Sequence, residues 1–193
     1  MQRFVSELTD RSPRSAERVP PSTMAHKSMD VYLNDHLAGA TLGANLAGQI
    51  AGHADGAPLA DAMTALQAEI AQDRETLVDL MDRMGVSRNP VKLATSRLAE
   101  AASRVKFSGR ASGEQDHGIF MALETMTLGV QGKGSMWRVL REVRDDHRSL
   151  AAVDLDTLIA RAEHQYERLE HERLAAGRRA LSTPTAAEAR AAS

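Results

Sequence analysis

The chain has 193 residues, 42% of them apolar and 26% charged, with a formal charge of −2, six aromatic side chains and no cysteine. The absence of cysteine excludes disulfides, thiol catalysis, iron–sulfur clusters and thiolate zinc sites. The near-zero net charge gives no bulk attraction to nucleic acid or to an anionic membrane, so either partner would have to be engaged through a local patch. This length supports one domain with a sizeable core. Abundant Ala and Leu with few β-branched and aromatic residues make the expected fold all-α.

Residues 1–27 are polar, contain the pair Pro20 and Pro21 and have no apolar signal-peptide region. They read as a flexible leader, with Met24 as a second candidate start and the cytoplasm as the expected location. Twenty Arg against four Lys suggest a GC-rich bacterial gene. The bundle domain is expected over 28–180, and 181–193, rich in Ser, Thr, Pro and Ala, reads as a disordered tail.

The first helix is expected over about 30–52, with Ser28 or Asp30 as its cap. Its segment 37–52 carries no charged residue and so must be buried, yet at sixteen residues with Gly, Thr, Asn and Gln it is too short and polar to span a bilayer. Gly39, Gly43 and Ala47 recur every four positions and predict close approach by a partner helix. The second helix follows a turn at 53–56, has Pro58 in its first turn and stops near Gly85. Its inward stripe is Leu59, Met63, Leu66, Ile70, Leu77, Met81 and Met84.

A short helix is expected to start at Asn89 and Pro90 and to fade near Phe107. The next long helix covers about 117–140, with Ile119, Leu123, Met126, Val130 and Trp137 on one face and a loosening at Gly129, Gly132 and Gly134. In 118–132 the only charged residue is Glu124. The last helix, about 154–179, buries Leu155, Leu158, Ile159, Ala162, Tyr166 and Leu169. Four helices of this length make a four-helix bundle. The join over 86–116 is far longer than an antiparallel hairpin needs, which favours a crossover and leaves an up-down-up-down order as the alternative.

Segments 32–41 (YLNDHLAGAT), 104–110 (RVKFSGR) and 123–133 (LETMTLGVQGK), with Trp137 following and a final helix running into Arg179, resemble an uncharacterised bacterial family of ferritin-like helical bundles over about 29–181. The resemblance implies a ferritin-like bundle with a short extra helix in its long connection, and no activity.

Helical projection places His36 in the apolar arc of the first helix and Asp73 where the stripe of the second requires an apolar residue. Counted from the hairpin turn, His36 and Asp73–Arg74 stand at one level. A buried polar cluster of His36, Asp73, Arg74 and Glu124 is therefore expected, since unpaired buried charge is costly. A degenerate di-metal site for iron or manganese would draw on His36, Glu69, Asp73, Glu124 and Glu163. The sequence departs from the paired Glu-x-x-His pattern of such sites: Glu69 is followed at that spacing by Gln72, and Glu163 by Tyr166. His164, Glu167 and His171 read as a solvated face rather than a surface ion site. Arg88, Lys92, Arg97, Arg104, Lys106 and Arg110 face only Glu100 within their segment and form a basic patch for an anion or an acidic partner. No P-loop, dinucleotide fingerprint, nucleophile elbow or His-Glu-x-x-His motif is present.

The resulting expectation is a non-catalytic helical bundle with a structural or protein-interaction role and no cofactor. Metal binding and anion or partner binding are the alternatives. A protein partner or a homo-oligomer through the Gly39/Gly43 face is open, whereas nucleic-acid binding and membrane insertion are not expected.

Overall fold

The computed structural model describes residues 21–54, 56–88 and 112–182. These form four α-helices: α1 (Pro21–His53), α2 (Ala57–Met84), α3 (Ser112–Glu142) and α4 (Leu155–Leu181). No strand occurs among the described residues, as the composition predicts. The expected short helix over 89–107, residues 1–20 and the tail from 183 onward lie outside the described residues.

The helix ends follow local chemistry. Helix α1 begins at Pro21 rather than near residue 30, a position where proline's fixed φ and missing N–H carry no penalty. The α2 start has Pro58 at its second position, and Gly85 ends it in the left-handed conformation with φ 69°, which glycine adopts without a Cβ clash. Helix α3 passes Gly129, Gly132 and Gly134 without a break, contrary to the expected loosening. Met126, Val130, Met136 and Trp137 on the same turns are buried, and that packing outweighs the propensity cost of glycine. Two short 3-10 turns, Arg144–Asp146 and Arg148–Leu150, bring the chain round to α4. The Asp154 carboxylate caps α4 by accepting from the Thr157 backbone N–H at 3.0 Å and its hydroxyl at 2.7 Å.

Side-chain contacts at the ends fix the direction of each helix. Gln115 at the start of α3 donates to the His53 carbonyl at the end of α1 (2.8 Å), and Leu33 near the start of α1 shares a core cluster with Trp137 and Leu140 near the end of α3. Arg179 at the end of α4 lies 3.3 Å from Asp116 near the start of α3. Ser149, just before α4, donates to the Arg83 carbonyl near the end of α2 (3.1 Å). The order is therefore up, down, down, up. Helix α1 packs on α2 and α3, and α4 packs on α3 and, more thinly, on α2. Because α2 and α3 run parallel at diagonal corners, the chain must leave one end of the bundle and re-enter at the other, a span of about 40 Å for helices this long. That geometry replaces the up-down-up-down alternative with a crossover.

The core has two storeys. One contains Leu33, Leu37, Leu77, Leu80, Met81, Met136, Trp137 and Leu140. The other contains Leu46, Ile50, Met63, Leu66, Ile70, Ile119, Leu123 and Met126. Between them lies a polar waist.

Candidate functional site

Helices α2, α3 and α4 each send side chains into the waist. The Asp73 carboxylate, 1% exposed, is paired with the Lys133 ammonium, 11% exposed, and Lys133 also donates to the Gln165 side-chain oxygen. Gln165 Nε2 then donates to Glu69 (3.0 Å) and, more weakly, to Asp73 (3.4 Å). Arg168 closes the outer side with a two-pronged bond to Glu69 at 2.8 and 2.9 Å. Arg161 Nε lies 3.0 Å from Asp73 Oδ1, although neither atom completes an aligned hydrogen bond, so that contact acts by charge alone. A further Arg161 nitrogen donates to Gln72 at 2.6 Å.

The layer is ordered by what burial does to each charge. Desolvation pushes the Lys133 amine below the ordinary lysine value, with the adjacent Asp73 carboxylate opposing that fall and the Arg161 cation adding to it. Burial pushes the Glu69 carboxyl upward, but its bonds from Arg168 and Gln165 outweigh that push and hold it below the usual carboxylate range. Three cations thus face two carboxylates across three helices, with Gln165 bridging them.

On the α1 side the waist is not filled. The α1 residues there are Gly39, Ala40 and Gly43, and a cavity of about 440 Å³ occupies the space they leave. Ile70, Leu77, Met126, Met136 and Trp137 give it apolar walls, Asp73 and Lys133 belong to its lining, and exposed Asp35 lies at its rim beside His36. A Cβ on Gly43 would meet only Ile70, at 3.9 Å, and one on Gly129 or Gly132 would meet nothing within 4 Å. The expected close approach at Gly39 and Gly43 is therefore replaced at this level by an opening inside the bundle. The close approach of α1 to α2 lies one turn on, where a Cβ on Gly48 would meet Gln67 Nε2 at 2.7 Å.

His36 and Asp73 stand at one level, as counting from the turn predicts, and both line the cavity. The rest of the expected cluster disperses. Arg74 turns to α1 and donates to the Thr41 hydroxyl at 3.1 Å. Glu124 is 45% exposed, 3.6 Å from Arg173, because its place on the margin of the apolar arc turns it outward. Glu163 is 55% exposed and pairs with Arg138 at 2.7 Å. His36 packs edge-on against Tyr32, with ring centroids 4.7 Å apart; desolvation holds its pKa below the ordinary value while nearby Asp35 works against that fall.

Among the described residues no three His, Asp or Glu side chains converge as metal ligands do, so His36, Glu69, Asp73, Glu124 and Glu163 are not one ligand set in this arrangement. His164, Glu167 and His171 are exposed, as expected of a solvated face. Of the basic patch, Arg88 pairs with Asp82 at 3.2 Å; Lys92, Arg97, Arg104, Lys106 and Arg110 lie outside the described residues.

Sequence reasoning missed Lys133, Arg161, Gln165 and Arg168. The signal for two of them was present. Lys133 stands three residues after Val130 and four before Trp137, and Gln165 three after Ala162 and four before Leu169, both in register with the buried stripes. No described helix is long and apolar enough to cross a membrane. Compared with family models, curated proteins and solved structures, the chain matches none.

Proposed function

We propose that this protein is a non-catalytic helical bundle of ferritin-like connectivity that binds a small, largely apolar molecule with one polar end in the cavity between α1 and α3. The diagonal crossover supports the connectivity. The observation that carries the function is the coincidence of an unfilled space with the buried charged layer: about 440 Å³ of cavity is walled by apolar side chains and reaches Asp73 and Lys133. This is the size and make-up of small-molecule sites, mostly apolar with a few placed polar groups. A di-metal role draws less support, because the cation nearest Asp73 is the chain's own Lys133 ammonium, flanked by Arg161.

Trp137 is the only tryptophan and lines the cavity, so its emission reports occupancy directly. Titration with octanol is expected to give a saturable change in Trp137 emission in the wild type. Gly43→Leu places a side chain next to Ile70, in the cavity, and is expected to abolish that change. A non-saturating response, or an identical one in a folded Gly43→Leu variant, would remove the cavity as the binding site.

A further inference from the structure

The chain has four lysines, and one of them, Lys133, forms part of the wall of the largely apolar cavity. Its amine is held on two sides, by Asp73 and Gln165, and within the described residues its third hydrogen has no partner. Resting on the binding role proposed for this cavity, we infer that Lys133 is the attachment point for an aldehyde- or ketone-bearing ligand, which it holds there as a reversible imine paired with Asp73.

Two conditions for an amine to add to a carbonyl are met by the surroundings. The amine must release a proton, and an apolar site or a neighbouring cation favours the neutral form; here burial and Arg161 both act that way. The released proton needs an acceptor, and the Asp73 carboxylate is already its hydrogen-bond partner. The step then balances. The ammonium passes one proton to Asp73, and the nitrogen lone pair forms a C–N bond with the carbonyl carbon. A proton moves from nitrogen to the former carbonyl oxygen, giving a neutral carbinolamine. Asp73 returns its proton to that hydroxyl, the C–O bond breaks and water leaves toward the rim at Asp35. An ammonium and a carbonyl compound have become an iminium and water, with no oxidant or reductant involved. The single positive charge beside Asp73 is conserved, so the ion pair survives the exchange. The apolar walls exclude bulk water and favour the imine over hydrolysis.

The test uses the full chain with octanal and sodium cyanoborohydride, which traps an imine as a stable octyl amine, followed by intact-mass analysis and peptide mapping. One octyl group per chain is expected, enriched at Lys133 about tenfold over Lys27, Lys92 and Lys106, because Lys133 is activated by its site. Octanol should suppress labelling at Lys133 and leave the other lysines unchanged. Because this comparison is made within the wild type, it stands even where Lys133→Arg fails to fold; where that variant folds, labelling at position 133 should vanish. Octyl groups spread evenly over all four lysines, with octanol still giving a saturable Trp137 response, would overturn the imine and leave the binding role intact. Even labelling with no saturable Trp137 response would overturn both.

Discussion

Lys133 carries a charge that burial opposes and Asp73 retains, so each residue is costly without the other. Lys133→Met is expected to lower unfolding stability by about 3–5 kcal/mol, because it leaves a 1% exposed carboxylate with only the misaligned Arg161 contact and the weak bond from Gln165. Replacing both partners by apolar residues, Asp73→Leu with Lys133→Met, should restore most of that loss, since desolvation no longer has to be offset. Urea denaturation of the two singles and the double measures the coupling. His36 gives a pH signature of its own. Its folded pKa lies below the ordinary 6.5, so between the two values the unfolded chain binds the extra proton. Its contribution is full above about 6.5 and is lost as pH falls through that window. His36→Phe should flatten this part of the stability profile in thermal melts from pH 7 to pH 5, and an unchanged slope would assign the effect elsewhere.

At the scale of the elements, the glycines of the cavity wall leave helix stability unused. Gly132→Ala meets nothing within 4 Å and should raise stability by about 0.5–1 kcal/mol through helix propensity. Gly85→Ala should do the reverse, because φ 69° at the end of α2 strains any side chain. Paired denaturation curves decide both. Helix identities, the Gly85 stop and the inward stripes of α2 and α4 were legible in the sequence, because each depends on nearby residues or a simple period. The rotation of α3 was legible only for its apolar face. Glu124 sits on the edge of that arc, where a few degrees of rotation decide between core and solvent. Lys133 sits at the arc's centre, where a lysine reads as an exception rather than as a member. The partners of Asp73 could not be read for a different reason: they come from α3 and α4, and pairing across helices depends on rotation and height together.

At the scale of the molecule, the up, down, down, up order was foreshadowed by the length of the 86–116 join, since a chain that must return along the bundle needs the residues to do so. The cavity was not foreshadowed. Small residues on α1 signal close packing and empty space equally well, and only the positions of α2 and α3 distinguish them. With the internal ammonium placed beside Asp73, protein purified without chelator is expected to carry no stoichiometric iron or manganese; elemental mass spectrometry checks this, and near-stoichiometric metal lost in Asp73→Ala would reinstate the metal reading.

The charged waist between two apolar storeys has a further consequence, for alignment. Apolar helices tolerate sliding by one turn, because one hydrocarbon contact replaces another at little cost. Here a one-turn slip of α3 along α2 would bring Gly129 or Trp137 to the level of Asp73 and carry Lys133 into hydrocarbon, stranding both charges. The ion pair thus works as a key that fits at one height only. The doubly apolar Asp73→Leu, Lys133→Met protein is accordingly expected to keep its helicity while its amide NMR spectrum broadens over several registers, a loss of uniqueness rather than of stability.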